Sequence, residues 1–201
     1  MKLYYLTGAC SLASYIALNE AGIKFEAVKV DRKNHKTADG EDFNTINSKG
    51  YVPALRLDNG EVLTENVAVL QYIADRNPAA RLAPPAGTME RYRLMEWLSY
   101  INSEVHKSIA PLFNPAVSED VKNYARTNLI KRVDWLENAL GSRTFLMGGQ
   151  FTVADAYLYV VLGWFGRVGV DMGRWPHLKS FHERVDSRPH VIAALKAEGL
   201  R

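Results

Sequence analysis

Cys10 is the only cysteine in 201 residues and the strongest nucleophile the sequence offers. It stands in Thr7-Gly8-Ala9-Cys10-Ser11-Leu12-Ala13, after a short β-prone run and before the first helical stripe. Thiolate is the reactive form of cysteine, and a helix N-terminus favours it through unsatisfied N–H groups and the helix dipole. A lone cysteine is also commonly a small buried apolar side chain, so reactive and inert readings both stand at this point. Its neighbours narrow the chemistry. No second cysteine occupies the redox-pair position, so a mixed disulfide on Cys10 has to be resolved by an external thiol. A dithiol oxidoreductase is thereby disfavoured, and a monothiol mechanism or a thiol-stabilising role remains. One cysteine also excludes an intrachain disulfide and a multi-cysteine metal centre. The histidines at 35, 106, 177, 182 and 190 contain no i, i+4 pair, so no structural metal is expected.

Four other places could carry chemistry. Pro53 interrupts the β-prone run Tyr51-Val52-Pro53-Ala54-Leu55. The simplest reading is an edge strand; a cis peptide would instead turn the Val52 backbone outward, toward an extended peptide ligand. Thr64-Glu65-Asn66 lies where a strand meets a helix, and helix capping explains all three residues. The same helix end could offer N–H groups to a carboxylate and Glu65 to an ammonium, which together describe an amino acid zwitterion. Ser99, Ser103 and His106 fall at i, i+4 and i+7 on a long helix, a polar line ending in the side chain best suited to proton traffic near neutral pH. Asp155 in Thr152-Val-Ala-Asp reads as a capping box. Tyr4 and Tyr5, adjacent in a strand, are expected to point one inward and one outward, with core packing as their role.

The elements that must hold these residues follow from periodicity. Lys2 to Leu6 reads as a strand, Ser11 to Ala21 as a helix stopped by Gly22, and Phe25 to Val30 as a second strand. Glu41 to Ile46 reads as a short helix. Val52 to Leu57 and Glu61 to Thr64 flank Asp58-Asn59-Gly60 as a hairpin, and Val67 to Arg76 closes a β-α-β-α-β-β-α unit, a small α/β domain. Beyond it the patterns are helical: 88–112, 119–140, a nearly all-apolar helix from 152 to about 168, then 177–187 and 190–197. The expected division is a first domain over 1–77, a Pro-rich linker over 78–87 and an all-helical domain over 88–201.

Composition agrees with a folded protein: 47% hydrophobic, 23% charged, with a net charge of +3 from 25 basic and 22 acidic side chains. Disorder, a nucleic-acid arm and a polybasic membrane anchor are all excluded on those grounds. No apolar run approaches a membrane span, and Met-Lys-Leu-Tyr-Tyr lacks a secretory pattern. A cytoplasmic protein with no nucleic-acid or membrane partner is expected.

Together these features resemble the cytosolic glutathione transferase superfamily, most closely its bacterial beta class. The resemblance covers essentially the whole chain. It rests on Lys2-Leu3-Tyr4-Tyr5, Gly8-Ala9-Cys10-Ser11-Leu12-Ala13, Gly50-Tyr51-Val52-Pro53-Ala54-Leu55 and Leu63-Thr64-Glu65-Asn66. In the helical part it rests on Glu96-Trp97-Leu98, Ser103-Glu104-Val105-His106-Lys107, Phe151 to Tyr157 and Ala197-Glu198-Gly199-Leu200.

The resemblance implies a thioredoxin-like domain followed by a helical bundle, a homodimer, and a detoxifying transferase with glutathione as cosubstrate and no metal. It further implies that Val52 and Pro53 pair with the cysteinyl backbone of glutathione and that Glu65 and Asn66 hold its γ-glutamyl group. Cys10 would face the glutathione sulfur and His106 would approach it, both as catalytic residues. Ser99, Ser103 and Glu104 belong to the same stretch of site, partly across the dimer interface. His35 stands where relatives often carry lysine near the glycyl carboxylate, and Ser99 where they often have asparagine. His35 would make glutathione affinity weaker at high pH.

The helix N-terminus, with His106 as a further donor, would stabilise the glutathione thiolate. Lowering a thiol pKa by about two units is worth about 2.7 kcal/mol. The thiolate would then attack a hydrophobic electrophile held against Trp164, Phe113 and Tyr157. Two alternatives remain at this stage: a glutathione-dependent thiol–disulfide transferase, and a non-catalytic glutathione- or ligand-binding protein.

Overall fold

The computed structural model describes residues 1–201. They form two compact units, Met1–Ala83 with Ser187–Arg201, and Pro84–Asp186. The expected linker lies near the observed junction, but the expected assignment of all of 88–201 to one helical domain does not hold. The last helix packs on the first unit, for a physical reason given below.

In the first unit β1 (Lys2–Tyr5), α1 (Ser11–Glu20), β2 (Glu26–Lys29), α2 (Phe43–Ile46), β3 (Ala54–Arg56), β4 (Val62–Thr64) and α3 (Asn66–Arg76) follow in the expected order. The sheet order is β2-β1-β3-β4, with β2 parallel to β1 and both later pairs antiparallel. Tyr4 pairs with Ala54 and Lys2 with Arg56. The strands are shorter than expected. β3 begins at Ala54 because Pro53 has no N–H to give to a ladder.

Both faces of this sheet are covered. Tyr4, Val28, Phe43 and Ala54 form the core on one face. Leu3, Leu55 and Ile16 are fully buried as well. Tyr4 packs its ring against Phe43 at 5.8 Å and Tyr5 meets Tyr15 edge-on at 6.0 Å. The two tyrosines do point opposite ways, yet both are buried, because a helix lies over each face. α1 ends as read, with Gly22 at φ +63 after Ala21 and the Ile23 N–H reaching back to the Leu18 carbonyl.

The final helix, α9 (Pro189–Ala197), packs on α1. Val191 and Ala194 are its buried residues, and Arg188 grips the largely buried Glu20 with two hydrogen bonds of 2.6 and 2.8 Å. That apolar stripe and bidentate pair are what tie Ser187–Arg201 to the first unit.

The second unit holds α4 (Met89–Tyr100), α5 (Lys107–Phe113), α6 (Glu119–Leu140), α7 (Val153–Leu162) and α8 (Pro176–Asp186). The single helix expected over 88–112 is interrupted by a π turn over Ile101–His106. All ten residues of α7 are buried, as its apolar run requires. It stops at Leu162, and Phe165–Val168 is a separate 3-10 turn. Gly163 and Gly166 are poor helix formers at that point. No helix is long and apolar enough to cross a membrane.

Asp155 is wholly buried at the start of α7. Its carboxylate accepts from the N–H groups of Leu146 (2.8 Å) and Thr152 (2.7 Å) and from the Thr152 hydroxyl (2.8 Å). Burial pushes its carboxyl up to about 6 while those donors pull it down. Replacing Asp155 with Ala strands two buried N–H groups and removes the cap. Urea denaturation near neutral pH should register a loss of about 2–4 kcal/mol.

Candidate functional site

The first unit assembles one group of the expected residues. Cys10 is the N-cap of α1 and is half-buried; its side chain does not cap the helix. Instead Sγ donates to the Val52 carbonyl at 3.3 Å. The Val52–Pro53 peptide is cis, so the edge-strand reading of Pro53 gives way to the alternative considered beside it. No group of the chain accepts from the Val52 N–H.

Next to Val52 lies an open cavity of about 310 Å³ lined by Leu6, Val30, Arg32, His35, Gly50 and Val52. His35 has a left-handed backbone, φ +55, and packs close to Gly50. A β-carbon added at Gly50 would sit 3.5 Å from the His35 ring and 3.3 Å from Asn44 Oδ1. The absence of a side chain at 50 therefore lets the imidazole approach. Tyr51, on the same cavity, is 74% exposed.

Capping does not explain Thr64-Glu65-Asn66. Glu65 is the N-cap of α3 by backbone, with φ +70, and makes no capping bond with its side chain. A glutamate held at positive φ is strained, and such strain gathers at functional positions. Its carboxylate pairs with Lys49 at 2.5 Å, both side chains being well exposed. Asn66 is the first residue of the helix and is buried. Its Oδ1 accepts from Ser14 at 2.8 Å, and its Nδ2 is buried with no partner. The first N–H groups of α3 are thus left open at a surface that also carries a carboxylate.

The second unit places His106 differently from the helical reading. Ser99 and Ser103 are exposed, and the Ser103 hydroxyl donates to the Ser99 carbonyl at 3.0 Å. Glu104 is paired with Arg132 at 2.6 Å. The π turn shifts the register that follows it, so His106 leaves the serine line and turns onto aromatic side chains. Its ring meets Trp164 at 4.8 Å and Tyr157 at 5.9 Å, and Phe113 meets Trp164 at 6.1 Å. Trp164 and Tyr157 lie against His106, and Phe113 lies against Trp164.

Two hydrogen bonds of Tyr157 bear on the tautomer of His106. The Tyr157 hydroxyl donates to Asn102 Oδ1 at 3.0 Å and lies 2.7 Å from His106 Nδ1. A hydroxyl has one proton, and in the arrangement that places it on Asn102 the imidazole donates at Nδ1. Nε2 then carries a lone pair. Burial, with Lys107 adding to it, lowers the His106 pKa to about 4, so the ring is neutral near pH 7. In that form the ring offers Nε2 as an acceptor. Asn102 and the structural part of Tyr157 had no signal in the sequence, since the partners lie 51 and 55 residues apart.

Two family models match the chain: "Glutathione S-transferase, N-terminal domain" over residues 1–75 and "Glutathione S-transferase, C-terminal domain" over 96–189. Glutathione S-transferase GstA of Escherichia coli O157:H7 is 44% identical over 201 residues, all of both chains. A sphingomonad glutathione S-transferase solved in complex with glutathione superposes with a TM-score of 0.97 at 52% identity, covering 100% of each chain. The beta-class enzyme of Sphingomonas chungbukensis does so with a TM-score of 0.97 at 51% identity, again over 100% of both.

Nitrogen-15 NMR of the imidazoles should find His106 as the Nδ1-protonated neutral tautomer down to about pH 5, and Tyr157→Phe should mix the two tautomers. Stability follows the same group. The unfolded imidazole binds a proton near 6.5 and the folded one only near 4. The unfolded chain therefore gains protons first, and stability falls as pH is lowered through that window by up to about 3 kcal/mol. His106→Gln should flatten that part of the urea-midpoint profile.

Proposed function

From membership of the glutathione S-transferase family, to which this chain belongs, we infer that it is a glutathione transferase that activates the thiol of glutathione against small hydrophobic electrophiles. The observation that carries this is the Cys10–Val52 contact: a half-exposed thiol touching the backbone beside a cis proline, with the neighbouring N–H unused. A peptide thiol that pairs with the Val52 backbone brings its own sulfur alongside Cys10.

The other residues support the same orientation. The open α3 N-terminus suits the γ-glutamyl carboxylate. Glu65 suits the γ-glutamyl ammonium, which competes with Lys49 for its carboxylate. Arg32 and His35, on the 310 Å³ cavity, suit the glycyl carboxylate. His106, neutral with a free Nε2, is suited to accept a proton, and Trp164, Phe113 and Tyr157 to contact an apolar electrophile. Ser103 and Glu104 are assigned a lesser part, since their polar atoms are already engaged with the Ser99 carbonyl and Arg132, and Ser99 is an exposed residue of the same stretch. The exposed stripe Met89, Tyr92 and Met95 on α4 supports assembly as a homodimer.

In conjugation, the glutathione S–H gives up its proton, the sulfur forms a bond to carbon, and the electrophile releases its leaving group or takes up the proton. A second reaction uses Cys10 itself. Its thiolate attacks oxidised glutathione, forms one S–S bond and expels one glutathione thiolate; an external thiol then resolves the adduct. The single cysteine favours this as a side activity.

Intact-mass spectrometry after incubation with oxidised glutathione should show a gain of one glutathione, reversed by reductant and absent in Cys10→Ala. Conjugation of an activated aryl halide should persist in Cys10→Ala within about tenfold. No binding of glutathione at about millimolar concentration would overturn the transferase reading.

A further inference from the structure

The terminal motif Ala197-Glu198-Gly199-Leu200 has no part in the chemistry above, yet Glu198 is among the most buried charged side chains, 5% exposed. It follows α9 and belongs to the first unit. Its Oε2 accepts from the backbone N–H of Gly8 at 2.8 Å, across 190 residues of chain. Gly8 has φ +68 and stands two residues before Cys10, in the loop that ends β1. The other carboxyl oxygen, Oε1, is buried without a partner, and so is the hydroxyl of Thr7 next to Gly8. Buried polar atoms left unpaired call for an explanation. Here they mark a junction where Glu198 meets the loop at Gly8.

We propose that Glu198 is a positioning residue for Cys10: by holding the Gly8 peptide it sets the loop that presents the thiol, and its charge restrains the thiol's reactivity. This goes beyond the glutathione reading and does not depend on it, because it concerns the free thiol.

The direction of the effect follows from electrostatics. Burial pushes the Glu198 carboxyl up to about 7, against the Gly8 N–H and Lys29, which pull it down. With Oε2 accepting from Gly8, the proton, when present, sits on Oε1. The titratable groups that face it are Lys29 on β2, Tyr5 on β1 and Tyr15 on α1. Both tyrosines are pushed above their ordinary range, first by burial and then by Glu198, so neither ionises near neutrality. As pH rises through about 7 the carboxylate forms, its bond to the Gly8 N–H becomes charge-assisted, and a negative charge stands within about 10 Å of the Cys10 backbone. Both changes oppose attack by the thiolate.

The test is the second-order rate of Cys10 alkylation by iodoacetamide across about pH 6 to 8.5, in the intact protein without glutathione. Glu198→Gln keeps an acceptor for Gly8 and loses the charge. Its rate should match wild type at the acid end and exceed it by about threefold at the alkaline end. Glu198→Ala should also alkylate faster at the acid end and show faster amide exchange in the segment around Gly8. A purely structural role would shift stability but leave the Gln and wild-type pH profiles parallel. Superimposed profiles for wild type and Glu198→Gln overturn the proposal. If Glu198→Ala does not fold, the Gln profile alone decides. Because no glutathione is present, failure here is distinct from failure to bind glutathione.

Discussion

Antiparallel pairing of Tyr4 with Ala54 is the contact on which the first unit's site depends. It brings the end of β1 beside the start of β3, fifty residues away in sequence. The chain leaving β1 must then turn at Gly8, and the chain entering β3 arrives through Val52 and the cis Pro53. Cys10 and the Val52 carbonyl meet because both lie just beyond the last rung of that ladder. A slip by one residue would exchange Leu3 and Tyr4 between faces. Both faces are packed, Tyr4 on Phe43 and Tyr5 on Tyr15, so the register is fixed twice and the sulfur's position with it. Val52 lies just before β3, outside the ladder, and its N–H is not used by the chain.

The second unit solves a different problem. α7 is apolar on every side and therefore central, and a central helix has to satisfy its first N–H groups without water. The Thr152 side chain takes the N3 N–H, and the Asp155 carboxylate accepts from the Thr152 N–H and hydroxyl and from the Leu146 N–H, so the buried start of the helix is paired. One turn further on, Tyr157 carries a polar atom into the same apolar interior and spends it on His106 and Asn102. The burial that makes α7 a good core helix is thus what keeps the His106 imidazole neutral. Packing and proton chemistry share one cause here.

Much of this was legible in the sequence where the signal was local. Gly22, the Asp58-Asn59-Gly60 turn and the Thr152–Asp155 box each depend on a few adjacent residues, and each sits where it was read. Cys10 and Pro53 could be singled out by type and place. What the sequence concealed depended on contacts far along the chain or on backbone geometry. The Thr64-Glu65-Asn66 residues look like caps by composition, but Glu65 takes a positive φ and Asn66 is committed to Ser14 on α1. The serine–histidine line assumed 3.6 residues per turn, and the π turn over Ile101–His106 removed the premise. The last helix read as one more member of the bundle, because nothing in its own residues reveals that Arg188 will meet Glu20.

The anion stabilisation proposed for the first unit would rest on dipoles more than on charges. Its carboxylate nearest the thiol loop, Glu198, is held toward its neutral form by burial. Glu65 is turned outward onto Lys49. What remains for the proposed anion is the backbone: the open N–H groups of α3 and the unused N–H of Val52, with Arg32 beside the cavity. Backbone donors are fixed by the fold and need no reorganisation when charge appears on a sulfur. They are also insensitive to pH. Under the proposed function, a site built this way would keep its preference for a thiolate over the whole range in which the thiolate is worth forming, and leave side-chain titration to modulate access rather than to create it.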